Sequence, residues 1–174
     1  MQADKNKAPI GKGALDGRYV VLNDLGSGGN ADVKLAFDLD TQQRVAVKIM
    51  KNMDAQVKAE VEKEVEVMRS IDHPNVLNVI DAKSGEYVSQ DGSKKYSAYY
   101  IVLELAQQDS LFDYIVDQAA FPEPVAAYLF YQFLRGLHAI HEKGLCHRDI
   151  KCENVLLSDK FFLKVADFGY AANV

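Results

Sequence analysis

Asp149, Lys151, Asn154 and Asp167 are the residues of this chain whose types and spacing best suit chemistry. They fall in the run His147-Arg148-Asp149-Ile150-Lys151-Cys152-Glu153-Asn154 and in Asp167-Phe168-Gly169. The β-rich runs Val155-Leu156-Leu157 and Phe161-Phe162-Leu163-Lys164-Val165-Ala166 frame them, which sets the polar residues on a loop and a turn. Moving a phosphoryl group asks a protein for little covalent chemistry. It needs a carboxylate that orients the attacking hydroxyl, hard oxygen ligands for magnesium, and a cation near the moving group. Asp149, Asn154 with Asp167, and Lys151 can supply these in that order.

The elements upstream have to present the other half of such a site. After Tyr19-Val20-Val21-Leu22 comes Leu25-Gly26-Ser27-Gly28-Gly29-Asn30-Ala31-Asp32-Val33, then Lys34-Leu35-Ala36-Phe37. The pattern reads as strand, glycine-rich turn, strand, and glycines there let backbone N–H groups approach a phosphate without Cβ clashes. Taken alone it is equally an ordinary hairpin loop. Val45-Ala46-Val47-Lys48-Ile49 follows, with a lysine inside an apolar strand, where it either snorkels from an edge or meets a charged partner. The stretch from about Asp54 to Ile71 carries Val57, Val61, Met68 and Ile71 at helical spacing, and Glu64 falls inside that stripe. A carboxylate on a packed face is costly unless paired, so Glu64 is the natural mate of Lys48. The bland alternative is a charged helix with ordinary surface pairs such as Glu60 with Lys63.

Together these strings resemble the eukaryotic protein kinases, whose catalytic loop and magnesium turn share the spacing HRD-x-K-x-x-N and DFG, and whose upstream strand carries a phosphate-binding lysine. The resemblance runs from about Gly17 to Val174, and family spacing to His73-Pro74-Asn75 also selects Glu64. It implies an α+β fold in two lobes: an antiparallel β-rich N-lobe with one helix to about residue 103, a hinge over 104–109, and the start of a helical C-lobe over 110–174. It implies ATP and Mg2+ as cofactors, with Leu25, Gly26, Gly28 and Lys48 on the phosphates and Asn154 and Asp167 on the metal. Val33, Ala46 and Leu156 would sandwich adenine, Leu103 would be the gatekeeper, and Glu104-Leu105-Ala106 would meet adenine through the backbone. His147 would pack on Phe168, and Arg148 would be a buried guanidinium seeking a phosphate on the activation segment. Lys151 is similar to the serine/threonine branch. Leu111-Phe112-Asp113-Tyr114-Ile115 and Cys152-Glu153 are similar to the calcium/calmodulin-dependent and AMP-activated-type groups. The partners implied are proteins with Ser/Thr acceptors, a regulatory subunit or an activating kinase.

Composition agrees with a globular domain: 174 residues, 48% hydrophobic and 26% charged, suit one core without low-complexity bulk. The net charge of −5 gives no sign of nucleic-acid binding. No apolar run is long enough to span a bilayer, no hydrophobic signal region opens the chain, and Gln2 rather than glycine follows Met1. Membrane insertion, secretion and myristoylation are therefore not expected, and the expected compartment is cytoplasmic or nuclear. The two cysteines, Cys146 and Cys152, read as reduced thiols.

Residues 1–17 read as a disordered leader. Ser84 to Lys95, with Gly85 and Asp91-Gly92-Ser93, reads as a long hairpin turn before the strand Tyr99–Leu103. Ser110 caps a short helix through Val116. A longer helix runs from Pro124 to Lys143 with Gly144 as its stop, and Val125, Leu129, Phe133, Leu137 and Ile140 form its core stripe. His73, His138 and His141 take structural roles.

Two departures from the family pattern stand out. Asn30 replaces the aromatic at the tip of the glycine loop and Ala31 its third glycine. The sequence ends at Tyr170-Ala171-Ala172-Asn173-Val174, inside what the resemblance makes the activation segment. The expectation is then bare apolar surface at Phe133, Leu137 and Ile140, and weak activity of residues 1–174 alone. The alternative to a serine/threonine kinase is a non-catalytic kinase-like fragment or pseudokinase that binds nucleotide or a partner.

Overall fold

The computed structural model describes residues 11–51, 54–106, 110–118, 120–158 and 160–174. Two compact units emerge from the contacts: residues up to Asp54 with Ile80–Leu105, and Ala55–Val79 with Ala106–Val174. The helix carrying Glu64 falls in the second of these units.

The first unit is a closed barrel of β1 (Gly13–Leu15), β2 (Tyr19–Ser27), β3 (Ala31–Asp38), β4 (Gln43–Met50), β5 (Val79–Ser89) and β6 (Lys95–Glu104), ordered β1-β2-β3-β4-β6-β5. Alternation decides which face of β4 looks inward. Val45, Val47 and Ile49 join Val21, Ala36, Tyr100 and Val102 in the core, which sends Ala46 and Lys48 to the opposite face. Both corrections in this unit come from pairings distant in sequence. Gly13–Leu15, read as part of a disordered leader, is a strand that pairs antiparallel with both β2 and β5 and fully buries Leu15. Burying such a side chain contributes about 1.5–3 kcal/mol, enough to order a strand too short to announce itself. Ser84–Ser89, read as turn, extends β5, and only 90–94 turn, with Gly92 at φ 70°. Residues 1–10 of the expected leader lie outside the described residues. Arg18 holds the almost fully buried Asp38 by two 2.8 Å hydrogen bonds, and Thr41 Oγ1 and the Asp40 amide also donate to it. That guanidinium, with the smaller help of the other donors, keeps the Asp38 carboxyl far below the usual carboxylate range.

The second unit holds α1 (Ala55–Arg69), α2 (Leu111–Gln118), α3 (Glu123–Glu142) and the short strands β7 (Leu145–Cys146), β8 (Val155–Leu157), β9 (Leu163–Val165) and β10 (Ala172–Asn173). Ser110 caps α2 as expected: its Oγ accepts the Asp113 amide at 3.1 Å while Asp113 accepts the Ser110 amide, a reciprocal box. Pro124 sits in the first turn of α3, and Gly144, at φ 67°, closes the turn that follows it.

The core face of α3 is offset from the expected stripe. Leu129, Gln132, Gly136 and Ile140 are buried, Phe133 and Leu137 are half-buried, and Val125 is exposed. The large apolar residues that α3 leaves in water are Val125, Tyr128, Phe130, Tyr131 and Leu134 rather than Ile140. The offset is set by a polar anchor that hydrophobic periodicity misses. Gln132 Oε1 accepts from Asn75 Nδ2 and from the Leu163 amide, while its Nε2 donates to Phe161 O. Asn75 Nδ2 also donates to Leu163 O, and the Asn75 carbonyl accepts the Val165 amide. Gly136 permits this approach, because a Cβ there would meet Asn75 O at 2.6 Å. His73, whose Nδ1 accepts the Asn75 amide, belongs to the same anchor. Burial, then the charges of Arg135 and Lys164, push its pKa down, in keeping with a structural role. No helix among the described residues is long and apolar enough to cross a membrane.

Candidate active site

In the second unit the loop between β7 and β8 is built from its buried members outward. His147 is 2% exposed. Its Nδ1 accepts the Asp149 amide at 3.3 Å, so Nε2 is the donor to Ala166 O at 2.9 Å, and its ring lies 4.9 Å from that of Phe168. The expected packing of His147 on Phe168 is therefore present. One imidazole thus ties the loop to the segment leading into Asp167-Phe168-Gly169.

Asn154, also buried and at the end of a 3-10 turn over Cys152–Asn154, makes the second tie. Its Nδ2 donates to Asp149 O at 2.9 Å and to Asp149 Oδ2 at 2.8 Å, and its carbonyl accepts the Ala166 amide. With Nδ2 committed to Asp149, the side-chain oxygen is the atom left for a cation. Lys151 Nζ reaches Asp149 Oδ2 at 2.8 Å. Its hydrogen bond, and then that of Asn154, hold the Asp149 carboxyl below its ordinary pKa, while Asp149 in turn raises that of Lys151. Both groups are thus charged at neutral pH, and a carboxylate so stabilised orients a hydroxyl better than it strips one.

Asp167 is exposed and sits at φ 64°, in the left-handed region, where a non-glycine residue costs about 1–3 kcal/mol and persists only when its surroundings hold it. Here Phe168, buried on His147, supplies that hold. Asp167 and the oxygen of Asn154 are hard donors, too few for a closed metal cage. No cluster of three or more His, Cys, Asp or Glu suited to a metal occurs among the described residues. Magnesium, which keeps several waters and takes one or two protein oxygens beside phosphate, fits that donor set. Arg148, also at φ 64°, is exposed rather than buried as expected, and its Nε donates to Tyr170 O at 2.6 Å. Leu156 lies on β8, opposite Lys164 of β9.

In the first unit, register puts the remaining candidates on one surface. Val33 is opposite Lys48, and Lys48 is opposite Ile101; Ala46 is opposite Leu35 and Leu103. Directly opposed residues share a face, so Val33, Ala46, Lys48 and Leu103 line the side of the sheet away from the barrel core. Leu25, Gly26 and Gly28 belong to the exposed end of β2 and its turn. Glu104 ends β6, opposite Val45, and half-buried Ala106 follows in the second unit; residues 107–109 of the expected hinge lie outside the described residues. Glu64 stands on α1, half-buried beside the buried Val61, Val65 and Met68.

The sequence reading missed Asn75 and Gln132, which carry no chemistry but fix β9 and with it the approach to Asp167. It also missed Lys51 and Asp32 beside the glycine turn, although Lys51 follows Lys48 by only three residues.

Known proteins supply the family. The model of the protein kinase domain matches residues 19–174. CBL-interacting protein kinase 11 of Oryza sativa subsp. japonica is 35% identical over 165 residues, covering 93% of this chain and 31% of the relative. The carbon catabolite-derepressing protein kinase of Candida albicans is 35% identical over 156 residues, 88% of this chain and 23% of the relative. A probable serine/threonine-protein kinase of Dictyostelium discoideum is 32% identical over 162 residues, 91% of this chain and 18% of the relative. The chain spans less than a third of the length of each of these relatives. With both ordered loops and the strand register in place and the family match running from Tyr19 to the last residue, this chain belongs to the protein kinase domain family.

Proposed function

We propose that the protein transfers the γ-phosphate of ATP to serine and threonine hydroxyls of other proteins. One observation carries the reading: Asp149 is held as a carboxylate by Asn154 Nδ2 and Lys151 Nζ, each at 2.8 Å, in a loop fastened by buried His147. A hydroxyl hydrogen-bonded to such a carboxylate is oriented for in-line attack on the γ-phosphorus; as the new oxygen–phosphorus bond forms, the bond from that phosphorus to the β–γ bridging oxygen breaks, ADP leaves, and the hydroxyl proton passes to Asp149. Lys151 stands beside that carboxylate, where an acceptor oxygen and the phosphoryl group meet, and its charge stabilises the transferring phosphate. Lys48 and the glycine-rich turn would hold the other phosphates, and Val33, Ala46 and Leu103, which share one face of the sheet, would give adenine apolar contact, a role that the family resemblance extends to Leu156. The Asn154 side-chain oxygen and Asp167 would hold Mg2+, which would neutralise phosphate charge.

The serine/threonine assignment is supported by Lys151 in this loop and by the name of the Dictyostelium discoideum relative. Exposed Glu153 favours substrates with a basic residue ahead of the acceptor. One relative is named for interacting with CBL, and a regulatory partner or an activating kinase for this protein is part of the same proposal, as is a cytoplasmic or nuclear location.

The test is phosphorylation of matched serine, threonine and tyrosine peptides by the full-length protein with magnesium and ATP, beside Lys48→Met. Serine and threonine peptides should be labelled and the variant should be inactive. Tyrosine-only labelling, or equal labelling by Lys48→Met, would reject the proposal.

A further inference from the structure

The turn between β2 and β3 is fastened by residues that the catalytic reading leaves unused. Its glycines give it little packing: a Cβ at Gly26 or Gly29 would meet nothing within 4 Å, and residues 23–30 are all exposed. A hairpin tip of that kind opens locally at small cost. Lys51, just past the end of β4, supplies what packing does not. Its Nζ donates to Ser27 Oγ at 3.0 Å and to Gly28 O at 2.8 Å, and lies 2.9 Å from Asp32 Oδ1. Ser27 Oγ donates to the same Asp32 oxygen at 2.6 Å. The Lys51 amide donates to Asn30 O at 3.0 Å, and the Gly28 amide to Ala31 O at 2.9 Å. One residue thus ties the last position of β2, two carbonyls of the turn and the second position of β3.

An ammonium has three donors, and here all three have acceptors. Its charge is met by Asp32, whose own carboxyl is held below its ordinary pKa by Ser27 first and then by Lys51. Lys51 is therefore committed to the turn rather than free for a phosphate. The tip it fastens is also the one in which Asn30 and Ala31 stand at the expected aromatic and third glycine.

We propose that Lys51, paired with Asp32, is a positioning residue that holds the glycine-rich turn in the shape that receives the ATP phosphates, an inference that rests on the kinase reading above. A turn fixed in advance loses less conformational freedom when nucleotide binds. Its benefit falls on ATP affinity, not on the phosphoryl transfer that follows.

The experiment measures KM for ATP, kcat, and magnesium-ATP affinity by calorimetry for the full-length protein, Lys51→Met, Lys51→Arg, Asp32→Asn and the double variant Lys51→Met/Asp32→Asn. Lys51→Met and Asp32→Asn should each raise KM for ATP about three- to tenfold with kcat within about twofold of wild type. The double variant should be no worse than the worse single one, since both remove one shared interaction. Lys51→Arg should recover most of the loss. Amides of Gly26–Asn30 should exchange faster in Lys51→Met before any nucleotide is added. Unchanged affinity in Lys51→Met would overturn the proposal. So would tighter ATP binding by Asp32→Asn, which would make Lys51 a phosphate ligand restrained by its partner. A wild-type protein that binds no ATP, with Lys48→Met no different, would defeat the kinase reading and this inference with it. Wild-type binding that is lost in Lys48→Met but intact in Lys51→Met would defeat the inference alone.

Discussion

The glycine-rich turn of the first unit and the His147–Asn154 loop of the second are both short, polar and dense in hydrogen bonds, yet they are held from opposite sides. The loop is fastened from within: His147 and Asn154 are buried, and their side chains bond to Ala166 O and Asp149. The turn is fastened from without by Lys51, itself 40% exposed, through a carboxylate that is 35% exposed. Buried ties are strong because a lost partner leaves a polar group stranded away from water, whereas exposed ion pairs are screened and replaceable. In the proposed function, a carboxylate that orients a hydroxyl on every cycle needs the first kind of hold, and a turn that admits and releases a nucleotide can work with the second.

The largest effect should come from the group that the inner ties serve. Asp149→Asn should lower kcat about 10²–10⁴-fold while leaving magnesium-ATP affinity nearly unchanged, measured by peptide phosphorylation and calorimetry on the full-length protein. Undiminished turnover would remove Asp149 from the mechanism. Asn154→Ala takes away both the Asp149 tie and the oxygen assigned to the metal. Its activity should fall about 10²-fold, and the magnesium needed for half-maximal rate should rise. A fall in activity without any change in magnesium demand would limit Asn154 to positioning.

Stability sharpens the contrast between inner and outer ties. His147→Ala leaves a cavity beside Phe168 and strips the Ala166 carbonyl of its donor, and should cost about 2–4 kcal/mol in urea unfolding. Lys51→Met should cost less than about 1 kcal/mol, as exposed pairs do. Equal costs would erase the distinction drawn here.

The smallest predicted effect is confined to acid. Arg18 lowers the folded-state pKa of Asp38, so this pair contributes stability that is complete above about pH 4 and is lost as pH falls through the depressed folded value. Asp38→Asn should be less stable than wild type at pH 7, and the gap should narrow steadily from about pH 4 down to about pH 2, because over that range the unfolded Asp38 carboxyl takes up a proton that the folded one does not. A gap that stays constant over that range would mean the pair adds nothing that titrates.

The arrangement of the 147–154 loop was legible in the sequence because its contacts are local: Asp149, Lys151 and Asn154 fall within a few residues, and one loop brings them together. Strand β4 was legible because Lys48 interrupts an apolar run, and α2 because Ser110 and Asp113 stand at capping distance. What escaped was nonlocal. Gly13–Leu15 has small residues and no length, and becomes a strand only through β2 and β5, the latter some seventy residues away. The face of α3 was misjudged because Gln132 and Gly136, which do not look like core residues, are drawn inward by Asn75. Lys51 and Asp32 went unremarked because nothing in their spacing pairs them, and only the hairpin register, which sets Asp32 opposite Ile49, brings them together.

Hydrogen exchange of the full-length protein, with and without magnesium and ATP, tests the central contrast most directly. The Asp149 and Asn154 amides, bonded to His147 Nδ1 and Lys151 O, should already exchange slowly without nucleotide and change little on its addition. Amides of residues 26–30, held by exposed ties, should exchange faster than these and gain further protection when nucleotide binds. A loop over 147–154 that exchanges as fast as the turn, and slows only with ATP, would show that it is assembled by its substrate and contradict the account.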